Sequence, residues 1–346
     1  MDMLVIQSMR KQRYTYWMKW KIVIFLIVSI WLAACNPITE LIPTETTVPT
    51  STVTMPPTST IEPTSTTTQT PTPTSSPTIT STPTPITLAA VGDIAICGQK
   101  SDEQTAALIA DWNAEIIIAG DASNEDGTLW QYQNCFEPSW GQYFDRIHTV
   151  AGNHDYYSDP INNYYTYFGD RAGEAGKGYY SYDLGEWHIV GLNSNCGFVP
   201  CGPSSEQVAW LQQDLKENQD RCTLAFWHMP RWNSGPAKNA YWVQSFWDEL
   251  YKAGVEIVIN GHDHHYERTG KIDAEGLPDK QNGIIEFIVG TGGAGHYYLE
   301  DAFALSEKMI FGEFGVLKLT LEPERFQWQF INIENDVLDE GESDCH

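Results

Sequence analysis

The 346-residue chain is acidic, with 45 Asp and Glu against 20 Lys and Arg, a formal charge of −25 and a pI near 4.5. Residues 1–34 carry a formal +4, so the charge beyond them stands near −29. A polyanion of that strength is repelled by nucleic acid and by anionic headgroups, and no nucleic-acid binding is expected of it.

In chain order, basic residues 10–21 precede the apolar run IVIFLIVSIWLAA, the layout of a secretory signal. Its end, Leu32-Ala33-Ala34-Cys35, resembles the lipobox of bacterial lipoproteins, which implies cleavage before Cys35 and lipidation of that cysteine. The competing reading is an uncleaved anchor, since the run is slightly short of a membrane span. Residues 35–86 are nearly all Thr, Ser and Pro, too poor in apolar side chains to offset chain entropy, and read as an extended stalk. Beyond Cys35 lie six cysteines in an exported context, which suggests disulfides; none has CxxC spacing, and Cys97 with Cys135 is the one pair expected.

Residues 87–333 alternate apolar runs with amphipathic ones. ITLAAVGD, EIIIAGD, HTVAGNHD, TLAFWHMP and VEIVIN read as strands, SDEQTAALIADWNA, WGQYFDRI, SSEQVAWLQQDLKEN and AYWVQSFWDELYKAG as helices. GYYSYDL with EWHIVGLNS reads as a hairpin, and GIIEFIVGTGG, VLKLTL and FQWQFIN as later strands. The pattern gives an α/β domain with mixed sheets. Residues 334–346 are acidic and read as a mobile tail.

Polar residues sit where the strands end: Asp93, Asp121, Asn153 with His154, His228, and His262 with His264. In open α/β sheets the carboxyl ends of strands line one edge, where ligands bind. Two Asp, one Asn and three His form a mixed oxygen and nitrogen donor set that suits zinc, manganese or iron. It is too large for one ion with an open position and fits a pair.

The succession GD (92–93), GD (120–121), GNHD (152–155), WHMP (227–230) and GHDHHYER (261–268) resembles the calcineurin-like metallophosphoesterases, and within them the purple acid phosphatase-like branch. The resemblance runs from about residue 88 to residue 332. It implies two packed mixed sheets flanked by helices, an α/β/β/α sandwich. It also implies one metal on Asp93, Asp121 and His264, and a second on Asp121, Asn153, His228 and His262, with Asp121 bridging. His154 takes the place of a residue that faces the substrate and can protonate the leaving oxygen. The purple branch has a tyrosine ligand three residues after the second Asp, and here that residue is Asn124. Asn124 is then a candidate extra ligand, and a neutral amide there favours divalent ions, a colourless protein and a neutral or alkaline optimum.

His296, after the loop GTGGAG, is a candidate substrate contact; His148, His188 and His265 read as structural. GTGGAG matches a dinucleotide fingerprint, but no helical pattern follows it. The expected function is an exported, membrane-anchored two-metal phosphoesterase that hydrolyses small phosphate monoesters by metal-activated hydroxide. The alternatives are a diesterase or nucleotidase on the same site, or a non-catalytic binding module on a decayed fold.

Overall fold

Strand β1 (Ile86–Val91) is apolar except for Thr87, and its last four residues lie buried between layers in a computed structural model that describes residues 84–158 and 161–346. It pairs in parallel with β2 (Glu115–Ile118), which pairs in parallel with β3 (Ile147–Thr149). On its other side it pairs antiparallel with β11 (Gly315–Glu322), followed by β12 (Arg325–Asn332) and β13 (Val337–Asp344), completing a six-stranded sheet. The second sheet has seven strands. Its parallel centre is β5 (Trp187–Gly191), β6 (Thr223–Phe226), β7 (Ile257–Asn260) and β9 (Ile285–Val289). The hairpin strand β4 (Tyr180–Leu184) flanks it on one edge, β8 (Tyr266–Thr269) and β10 (Ser306–Ile310) on the other.

The two sheets face each other through one apolar layer that includes Leu88, Ile117, Phe226, Ile259, Phe287, Leu319 and Phe330. Alternation decides the contribution of β12: Phe326, Trp328 and Phe330 point inward, with half-buried Arg325, Gln327 and Gln329 between them. The outer face of the first sheet is covered by α1 (Ser101–Leu108), α2 (Asn162–Phe168) and the aromatic residues around Tyr132 and Phe136. The outer face of the second is covered by α3 (Glu206–Glu217) and α4 (Gln244–Ala253). Helix α3 starts where the Ser205 side chain accepts from Val208 N, and buries Val208, Leu211 and Leu215 at helical spacing. Helix α4 stops at Gly254 in the left-handed conformation. These four layers are the sandwich expected from the sequence. The signal segment, Cys35 and the stalk up to residue 83 lie outside the described residues, and β1 begins at Ile86, one residue before the expected boundary. Among the described residues no helix is long and apolar enough to cross a membrane.

The structure corrects the reading of residues 334–346 as a mobile tail. Val337–Asp344 is the edge strand β13, paired along its length with β12, and Cys345 is bonded to Cys222. Its side chains lack apolar alternation because the backbone ladder holds it, while its acids find cations. Arg268 Nε donates to Asp339 at 2.8 Å, and Arg325 pairs with Glu342. A charged edge strand also discourages pairing with another chain. The segment WGQYFDRI is a 3-10 helix, Trp140–Arg146, and β8 and β10 are strands in segments for which none was expected. Three disulfides join Cys97 to Cys135, as expected, Cys196 to Cys201, and Cys222 to Cys345.

The Cys222–Cys345 bond closes a sequence separation of 123 residues and fixes β13 to the end that precedes β6. The double substitution Cys222→Ala, Cys345→Ala is expected to lower the unfolding free energy by about 2–5 kcal/mol. Chemical denaturation checks this, and an unchanged midpoint contradicts it.

Candidate metal centre

Four parallel strands, β1, β2, β6 and β7, and the loop after β3 end at one rim, and each delivers a polar side chain there. Asp93, Asp121 and His262 each follow a glycine, and each has left-handed backbone, with φ of 57°, 52° and 69°. For residues other than glycine that conformation costs about 1–3 kcal/mol each and persists only where the surroundings impose it. Crowding imposes it here: a Cβ on Gly261 would lie 2.7 Å from both Ala119 O and Asp93 Oδ2. With no Cβ in the way, the His262 amide reaches Asp93 Oδ2 at 2.7 Å.

The side chains converge closely. His228 Nε2 lies 3.1 Å from Asp121 Oδ2, 3.0 Å from Asn153 Oδ1 and 3.1 Å from His262 Nδ1. Its other nitrogen donates to Ala119 O at 2.8 Å, which aims the Nε2 lone pair at the cluster. On the other side His264 Nε2 stands 3.3 Å from Asp93 Oδ1. The Asn124 amide spans both halves, 3.1 Å from Asp93 Oδ1, 3.4 Å from Asp121 Oδ2 and 3.5 Å from His264 Nε2. Rotation of that amide by 180° would turn its oxygen toward the same atoms. All six candidate ligands and Asn124 are thus brought together, and Asp121 lies at the centre of the set.

Burial alone would lower the His228 pKa, yet the Asp121 and Asp93 carboxylates push it up to about 9. Burial and then the His228 charge hold His262 down to about 4. Burial raises Asp121, but the charge and hydrogen bond of His228 outweigh it and hold its pKa below the ordinary carboxylate value. The cluster therefore carries surplus lone pairs and negative charge in a place almost closed to water, and it draws a proton into the centre. A metal cation satisfies the same surplus, so the donor set fits the ions that the sequence pattern calls for.

His154 lies beside the cluster, its Nε2 4.0 Å from Asp121 Oδ2. Its Nδ1 donates to Glu125 O at 2.6 Å and its amide to Asp121 Oδ1 at 2.9 Å. His154, Asp121, Asn153, His262, His264, Tyr157, Tyr297, Pro236 and Ala237 line a cavity of about 340 Å³. His296, the candidate substrate contact, is not among those residues; its ring packs on Phe314 with centroids 4.0 Å apart. Tyr297 takes that wall position, stacked on the His264 ring at 4.0 Å and 9°. His265 is buried against Glu267 at 2.8 Å, His188 is held between Asp183 and Asp214, and His148 stacks on Tyr182. No helix follows GTGGAG; the Gly292 amide instead donates to Gly92 O at 3.0 Å.

Sequence reasoning passed over Asp155. Its Oδ2 accepts from Gly152 N at 2.7 Å and Asp121 N at 3.1 Å, and its Oδ1 from Tyr132 OH at 2.5 Å. Burial, then the Asp121 charge, pushes its pKa up to about 7. It braces the backbone that carries the central carboxylate, and its place in GNHD was the available signal.

The family model described as Calcineurin-like phosphoesterase matches residues 86–266. "Probable purple acid phosphatase 20" of Arabidopsis thaliana is 28% identical over 236 residues, which is 60% of this chain and 52% of that protein. The chain spans about half the length of such plant relatives. In structure it is similar to purple acid phosphatase PPD1 from yellow lupin seeds, with TM-score 0.66, 18% identity, and coverage of 75% of this chain and 54% of that one. It is also similar to GAP50, the anchor in the inner membrane complex of Plasmodium, with TM-score 0.59, 14% identity, and coverage of 76% and 89%. At such identities these two likenesses speak to the fold, which is two mixed sheets with flanking helices.

A Cβ placed on Gly152 would overlap the Asp121 carboxylate. The same Cβ would lie 2.6 Å from Asp121 N, so Gly152→Ala is expected to shift the Asp121 backbone and carboxylate together and to lower metal affinity by about 10–100-fold, the scale seen when a metal ligand loses its support. Circular dichroism with metal titration checks this; unchanged affinity would contradict the close approach.

Proposed function

Because the chain belongs to the calcineurin-like phosphoesterase family, we propose that it is an exported hydrolase of small phosphate monoesters that works through two transition-metal ions. The observation that carries this reading is the convergence of Asp93, Asp121, Asn153, His228, His262 and His264 from separate strand ends. Asp93, Asp121 and His264 would hold one ion, and Asp121, Asn153, His228 and His262 the other. Such ions supply charge to neutralise phosphoryl oxygens and lower the pKa of water. Asn124 offers the first site a neutral amide where the purple branch has an anionic phenolate, which favours divalent ions. An intact donor set argues against a decayed binding module.

The chain's own groups supply the rest. With Nδ1 bound to Glu125 O, the His154 ring is fixed and Nε2 is left to face the cavity, placed to hand a proton to the leaving oxygen. Tyr157 and Tyr297 wall the cavity and limit water around the phosphoryl group. Three disulfides suit an oxidising compartment, which supports the export reading, with the lipid anchor at Cys35 beyond the described residues.

Metal-loaded protein is expected to hydrolyse phenyl phosphate. His154→Asn is expected to keep its metals and lose roughly 10²–10⁴ in kcat on that poor leaving group, with a smaller loss on p-nitrophenyl phosphate. No turnover by the metal-loaded wild type would overturn the hydrolase reading; an unchanged rate in the variant would remove His154 from the proton path.

A further inference from the structure

Beside the cavity at the candidate metal centre lies a second hollow of about 430 Å³, and the two share Asn153 and Tyr157. Tyr156, Phe198, Met229 and Trp242 make the rest of this hollow chiefly apolar. Phe198 and Tyr157 are each 61% exposed and Trp242 is 52% exposed, an amount of aromatic surface facing water that a folded chain ordinarily covers. We infer that this hollow receives the organic group of the ester, so that the favoured substrates are phosphomonoesters of flat aromatic or similarly apolar alcohols. The inference rests on the phosphoesterase reading for where the phosphorus sits.

The hollow is built and held. The Cys196–Cys201 bond closes the loop that carries Phe198, whose amide donates to Asn195 O at 2.8 Å. The Phe198 ring stacks on Tyr156 at 4.3 Å and 21°, and the Tyr156 hydroxyl accepts from buried Asn193 at 2.8 Å. Asn195 in turn donates to Ala151 O at 2.9 Å, two residues before Asn153, which ties the loop to the metal rim. Trp242 comes from the 3-10 turn Tyr241–Val243, and its carbonyl oxygen lies 4.0 Å from Cys196 Sγ, beside the Phe198 loop. A flat ring entering between such walls loses little to reorganisation of the protein. Neither cavity is lined by Lys or Arg, so neither offers a cation to a second phosphate, and a single phosphate is the matching charge.

The test compares phenyl phosphate with 2-naphthyl phosphate, whose phenolic leaving groups are similarly acidic and differ by one fused ring. Wild type is expected to favour the naphthyl ester by roughly fivefold in kcat/KM, the scale of burying one more ring edge. Phe198→Ala and Trp242→Ala, both surface changes, are expected to bring that ratio close to one, by lowering kcat/KM for the naphthyl ester more than for the phenyl ester. Calorimetric binding of phenylphosphonate and 2-naphthylphosphonate gives a readout independent of turnover. Hydrolysis of both esters with a ratio that neither variant alters overturns the subsite and leaves the phosphoesterase reading standing. Failure of hydrolysis, with naphthyl binding that is tighter and lost in both variants, overturns the hydrolase reading and supports the subsite. Equal binding of the two phosphonates overturns the subsite in either case.

Discussion

Two backbone hydrogen bonds between the sheets hold the rim together: Gly92 N donates to Val289 O at 2.9 Å, and Gly292 N to Gly92 O at 3.0 Å. They tie the end of β1, in the middle of one sheet, to the end of β9, in the other. Two sheets packed face to face ordinarily stand about 10 Å apart, too far for their side chains to share an ion. Closing them at one edge brings Asp93 from the first sheet against His262 and His264 from the second. The gathering of candidate metal ligands is a consequence of that closure, and Asp93, Asp121 and His262 in it have left-handed backbone.

The closure concentrates charge as well as geometry. Asp93, Asp121, Asp155 and His228 are at most 1% exposed, in a region where unpaired charge is costly. Hydrogen bonds meet part of that cost, as at Asp155, whose three donors hold the chain around Asp121. A proton on His228 offsets part of the remaining surplus, and a pair of bound cations would offset it more fully. The aromatic walls then divide the mouth of the site into a polar half over the cluster and an apolar half under Phe198 and Trp242.

Much of this was legible in the sequence because the site repeats one local device. Apolar strands end in Gly-Asp or Gly-His, so Asp93, Asp121, His262 and His264 could be placed at a common edge from the pattern alone. Asn153 and His154 were legible through the same reasoning. What escaped was held by long-range partners that leave no local mark. Strand β13 reads as a polar tail because its order comes from pairing with β12 and from Arg268 and Arg325. His296 and Tyr297 are adjacent in sequence, and only the course of the loop decides that the tyrosine, not the histidine, faces the cavity. Phe198 lies between two cysteines whose pairing was one of many open choices, so its place beside the rim could not be read from its neighbours.

The central claim is that one carboxylate, Asp121, serves two metal ions at once. Its Oδ2 faces His228 at 3.1 Å, and Asn124 at 3.4 Å links it to the Asp93 side. Metal analysis of purified wild type, Asp121→Ala and His262→Ala tests it most directly. A bridging Asp121 predicts about two ions per chain in wild type, loss from both sites in Asp121→Ala, and loss chiefly from one in His262→Ala. Full occupancy of both sites in folded Asp121→Ala would contradict it.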